Sequence, residues 1–240
     1  MTPAVDHLIA LRRDADRIAG AAQDQFGRTV PSCPGWQIND LVWHVGIVHM
    51  FWRMVASGAL SGPDAWTEPD RPHDGGLIAW FRGGVDRAAT ILADLDSRTP
   101  AWTWGHRQDV GFIRRRVSQE TTVHCWDAVN AIGCTKPIEQ GLAVDGVDEF
   151  FDEVLPALSH DLEGPAQTIC LHAHDCAHQW TVRVGEGSSQ LTPACGHADA
   201  EVTGTASDLL LLLWHRRSPD QMHIVGDIAA LQRFLARAAF

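Results

Sequence analysis

A helix that carries a carboxylate and an imidazole on its inward stripe constrains this chain more than any other feature. The stretch from about Phe112 to Ile132 repeats apolar residues at helical spacing, with Ile113, Val117, Ala128 and Ala131 along one face. Glu120 and His124 fall on the same face, four residues apart, so they are neighbours pointing into whatever packs there. A buried charge needs a partner. Two partners are open: a metal ion, or an ordinary polar core in which His124 finds a hydrogen bond and Glu120 pairs with Arg116 one turn earlier.

The first half of the chain offers three further helices for this one to meet. Val5 to Phe26 is amphipathic, and Gly27 is a plausible stop. Pro31-Ser32-Cys33-Pro34-Gly35-Trp36 is a rigid turn. Ile38 to Ser57 follows, with Leu41, His44, Val45, Val48, Trp52 and Val55 as its inner stripe. His44 stands there where an apolar residue is expected, whereas His49 lies about 140° around the helix from it. A third helix spans about Gly75 to Leu95, with Asp74 as its expected cap and a Gly83-Gly84 pair suited to close packing. Asp109 can cap the central helix and Gly133 can end it. Four such helices in the first 133 residues indicate a bundle.

The pattern changes near residue 140. Lys136 to Gly146 reads as a linker and Val147 to Leu158 as a helix. Short alternating strands follow at Thr168–Ala173, Gln179–Val184, Glu201–Gly204 and Met222–Val225, with helices at Ala206–His215 and Ile228–Ala238. The expected architecture is α+β: a helical bundle over 1–140, then a smaller α+β domain over 141–240.

The net charge of −11 argues against nucleic acid as a partner, and the Arg114-Arg115-Arg116 run reads as a solvated helix side. Met1 to Gly20 lacks the apolar core of a secretory signal, and no apolar run is long enough to span a membrane, so a cytoplasmic protein is expected. The six cysteines contain no CxxC and read as free thiols. Lysine occurs only at Lys136 among 19 basic residues, which reflects a GC-rich genome rather than a fold.

His44, Glu120 and His124 are the candidates for one site. Two histidines and one carboxylate from facing helices suit zinc with an open fourth position, or equally an Fe(II) triad. His172, His174 and His178 offer a second, less favoured cluster, and Trp43, Trp102 and Trp104 could line a pocket.

Cys33-Pro34-Gly35-Trp36 with Asp40-Leu41 and His44 resembles the first motif of the mycothiol-dependent maleylpyruvate isomerase family. Glu120 with His124-Cys125-Trp126-Asp127-Ala128 resembles the second. Leu171 to Asp175, Gly204 to Leu209 and Trp214-His215-Arg216 are similar to its C-terminal domain. The resemblance implies a DinB-like four-helix bundle and a divalent metal, usually zinc, held by His44, Glu120 and His124. It also implies mycothiol as cosubstrate and a functional arginine matched by Arg216, with Arg217 as the neighbouring alternative. Departures are Gln37 at the helix cap, Cys125 where relatives often have Arg, and Val129 where they often have an acid.

The implied activity is addition of the thiol to an electrophile, as an S-transferase or a maleylpyruvate-type cis–trans isomerase. A non-catalytic binding protein on the same bundle and a metal-dependent hydrolase are the alternatives. Expected partners are mycothiol and a small-molecule electrophile, with no membrane partner and a monomer or homodimer.

Overall fold

The structure, a computed structural model, describes residues 5–158, 164–192 and 196–238. It is α+β and divides into two compact units, one up to Lys136 and one from Pro137.

The first unit is a four-helix bundle of α1 (His7–Ala22), α2 (Ile38–Ala56), α3 (Asp74–Asp94) and α4 (Val110–Ala131). Helix α1 packs on α4 and α3, and α2 packs on α3 and α4. Leu11, Ile18, Ile38, Leu41, Leu77, Phe81, Leu92 and Ile113 are fully buried between them. Asp109 caps α4 by accepting from the Phe112 N–H at 2.9 Å. At the far end Gly133 takes φ +74°, and the Cys134 N–H returns to the Val129 carbonyl at 3.0 Å, the Schellman arrangement.

Several expectations change. Helix α1 ends at Ala22, four residues early, because Gln23 leaves the helical region and Asp24 turns left-handed at φ +57°. Asp74 lies inside α3 rather than capping it, and its carboxylate accepts from Asn39 Nδ2 at 3.3 Å. The close helix approach falls at Gly46, where an added Cβ would sit 2.2 Å from Trp80 Cζ3, and not at Gly83-Gly84. The arginine run is not a solvated side. Arg114 donates to the carbonyls of Leu92 and Leu95, and Arg116 is buried.

The second unit opens with α5 (Gln140–Glu149), which runs through a π turn at Phe150–Val154 into α6 (Leu155–Ala157). The helix thus starts inside the expected linker. Gly141 and Gly146 disguise it, since glycine weakens a helix by about 1 kcal/mol, but both are buried beside Leu142 and Val147 and packing outweighs propensity.

A five-stranded sheet follows: β1 (Gln167–Ala173), β2 (His178–Gly185), β3 (Ser188–Thr192), β4 (Ala200–Gly204) and β5 (His223–Gly226), in the order β3-β2-β1-β4-β5. Only β1 and β4 run parallel. Leu171 stands opposite Trp180 and Val202, and this row's face is the buried one. Helices α7 (Ala206–Leu213) and α8 (Ile228–Arg237) pack on β1 and β4. Strand β3 carried no apolar alternation to announce it; Leu191 is its single large apolar residue.

The free-thiol reading holds for Cys33, Cys125, Cys134 and Cys176 but not for Cys170, which is disulfide-bonded. Among the described residues no helix is long and apolar enough to cross a membrane.

Candidate metal centre

Helices α2 and α4 bring His44, Glu120 and His124 together. Glu120 Oε1 lies 3.2 Å from His44 Nε2 and 3.3 Å from His124 Nε2. One ligand atom from each residue can be chosen so that all three lie within 4.8 Å of one another. Nitrogen and oxygen ligands about 2.0–2.1 Å from a tetrahedral zinc are separated by about 3.3 Å. Both Glu120–histidine distances match that edge, so the donor set and its spacing fit a divalent ion. The His44 side chain is 32% exposed and Glu120 22%, so the cluster opens toward solvent on that side.

Each α4 residue is gripped on its far atom. Arg116 Nη2 lies 3.2 Å from Glu120 Oε2, while Oε1 faces the histidines. His124 Nδ1 lies 2.9 Å from Asp127 Oδ2, and Asp127 is fully buried. A buried carboxylate there requires the Nδ1–H tautomer and leaves Nε2 as the nitrogen that can meet a metal. Asp127 also accepts from Ser32 Oγ at 2.5 Å and Cys33 Sγ at 3.6 Å. Trp36 covers both rings, with centroids 4.8 Å from His44 and 6.1 Å from His124. Arg116, Glu120, His124 and Asp127 follow at steps of four, four and three, one continuous stripe of α4.

These contacts control charge. Burial pushes Glu120 up, but hydrogen bonds from His124 and His44 and the Arg116 charge outweigh it and hold the carboxyl well below its usual range. Burial pushes His124 down, but its bonds to Asp127, Cys33 and Glu120 outweigh that and keep the imidazole protonated well above its usual range. A bound metal displaces that proton. We expect Asp127→Asn to weaken metal binding by about 10–100-fold, read by competition with a chromophoric chelator; unchanged affinity would remove Asp127 from the account.

His49, set aside in the sequence, is fully buried and bonds Thr121 Oγ1 at 2.7 Å. Thr121 donates to the Val117 carbonyl, so His49 Nε2 is the donor in that bond. Burial drives its pKa down from 6.5 to about 4. The unfolded chain takes up this proton near pH 6.5 and the folded chain only near 4, so stability falls as pH drops through that window, by about 3 kcal/mol in all. Urea unfolding of wild type and His49→Gln at pH 7 and pH 4 should show the wild type losing the larger amount; equal losses would contradict it.

The other candidates disperse. His172 and His174 are exposed, and His178 stacks on Trp180. Among the described residues the groups able to converge on a metal are His44-Glu120-His124 and Cys33-His124-Asp127. Cys125 is buried with its thiol pushed up to about 12 by burial, a packing residue. Trp43 packs at a tilt against Trp80 and donates to Glu68, whereas Trp102 and Trp104 pack on Phe51, Trp52 and Phe112 in a separate core. Arg216 is half-buried and donates to the Trp214 carbonyl at 2.7 Å, and Arg217 lies 3.2 Å from Asp208.

Residues 8–129 match the mycothiol maleylpyruvate isomerase N-terminal domain, and residues 141–233 match the C-terminal domain of the same family. No protein with a curated description matches. Among solved structures, a mycothiol-dependent maleylpyruvate isomerase aligns with a TM-score of 0.62 at 14% identity, over 89% of this chain and 90% of that one. A histidine-to-alanine mutant of a mycothiol-dependent maleylpyruvate isomerase aligns with a TM-score of 0.63 at 13% identity, over 93% of each chain. At such identities the alignments speak for the fold alone, but with both units of the chain matched in order, it belongs to the mycothiol maleylpyruvate isomerase family.

Proposed function

We propose that this chain is a metal-dependent enzyme that activates a low-molecular-weight thiol, mycothiol, for addition to an electrophilic small molecule. His44, Glu120 and His124 would hold the ion, most simply zinc, through Nε2, Oε1 and Nε2. The observation that carries the reading is Glu120 Oε1 standing 3.2 and 3.3 Å from the two imidazole nitrogens. The ion supplies a Lewis acid that keeps a thiol as its thiolate. The chain's own residues do the rest. Asp127 fixes the His124 tautomer, and Trp36 walls the histidines on one side.

With a maleylpyruvate-type substrate, the thiolate sulfur adds to the conjugated cis double bond. The former double bond rotates as a single bond, and loss of the thiolate leaves the trans isomer. With an alkylating electrophile the thiolate sulfur displaces the leaving group, which departs with the bonding pair, and the thioether is the product, as in an S-transferase. Arg216 is the residue proposed, from the family resemblance, to hold a substrate carboxylate in its guanidinium fork, with the neighbouring Arg217 as the alternative.

The test is turnover of maleylpyruvate, and of a simple alkylating electrophile, with and without mycothiol, using metal-loaded and metal-stripped protein. The proposal expects one of these reactions to require both thiol and metal. Turnover of either without thiol would overturn the reading, and a hydrolysis product would make the protein a hydrolase instead.

A further inference from the structure

Arg116 does more than balance a charge. Its side chain is only 5% exposed, and its guanidinium reaches Glu120 Oε2 at 3.2 Å across one helical turn. The same carboxylate turns its other oxygen to both histidines. The two oxygens thus have different duties, and the geometry keeps the second away from the point where the three ligand atoms converge. A carboxylate not held in this way is free to rotate and present both oxygens to one cation, as aspartate and glutamate do elsewhere. With two imidazoles already present, a second oxygen would take the position that an incoming ligand needs.

We propose that Arg116 is a positioning residue that keeps Glu120 a single-oxygen ligand and so keeps one coordination position free for the thiol. The inference rests on the thiol-activating reading of the site. It makes the bland partner of Glu120 in the sequence the residue that separates a reactive centre from a merely structural one. Arginine suits the task because its charge is permanent and its planar fork holds a fixed direction, whereas lysine's ammonium holds the charge without the fork.

The test uses the whole chain as wild type, Arg116→Met and Arg116→Lys, each loaded with cobalt(II) as the probe metal. Metal stoichiometry, the visible cobalt spectrum and mycothiol affinity are read on each. Arg116→Met is expected to keep one metal per chain and to show the weaker visible absorption of a higher coordination number. Its mycothiol affinity should fall at least about tenfold, with partial recovery in Arg116→Lys. An Arg116→Met spectrum identical to wild type, with equal thiol affinity, would overturn the proposal, as would loss of metal from a variant whose thermal melt matches that of metal-free wild type. Failure of wild type itself to bind mycothiol would instead strike the functional reading. The cobalt spectra taken before thiol is added would still decide whether Arg116 governs the coordination of Glu120.

Discussion

His124→Ala should emerge from purification folded and without metal. Stoichiometry should fall from one ion per chain to near zero, and thiol-dependent turnover by at least about 10³-fold. A Lewis acid contributes several kcal/mol to such a step, and each 1.36 kcal/mol is a factor of ten. The fold should survive because the remaining charges keep partners. Arg116 still grips Glu120, and Ser32 and Cys33 still donate to Asp127. Denaturant unfolding should therefore place the variant within about 2 kcal/mol of metal-free wild type. A variant that retained full metal would remove His124 from the ligand set.

Trp52→Ala should do the reverse, losing stability and keeping metal. Trp52 is 5% exposed and packs against Phe51, Trp102 and Phe112 with ring centroids 5.1 to 6.0 Å away. Removing so large a buried ring costs about 3–5 kcal/mol. Among the described residues the rings set against His44 and His124 are that of Trp36 and each other's, not those of this cluster. One metal per chain should remain at temperatures where the variant is folded. Metal loss in the native state would mean that these tryptophans belong to the site rather than to a core remote from it.

How much of this was legible in the sequence follows from what each feature depends on. The bundle was legible because four long helices each carry a stripe at their own period, and period is a local property. The meeting of His44, Glu120 and His124 was legible for the same reason: polar residues on apolar stripes must face one another when the stripes pack. His49 does lie off the His44 stripe, but its partners, Thr121 on α4 and the Phe81 ring on α3, could not be read from the period of α2 alone. The arginine run was misread because composition cannot tell a solvated cation from one that closes a carboxylate or caps a neighbouring helix's carbonyls. Asp127 shows a narrower limit. The sequence carried it only as part of the second motif, and the Ser32 and Cys33 donors that complete its surroundings come from a turn about 95 residues away. Strand β3 and the start of α5 depend on pairing and burial that no window of sequence contains.

The central claim is that these three side chains hold an ion with a position left for sulfur. Metal-edge X-ray absorption on zinc-reconstituted protein, with and without mycothiol, tests it most directly. Two imidazoles and one carboxylate oxygen are expected around the zinc, with a single new sulfur at about 2.3 Å when mycothiol is added. A zinc site that gains no sulfur, or that lacks the imidazole signature before thiol is added, would contradict the claim.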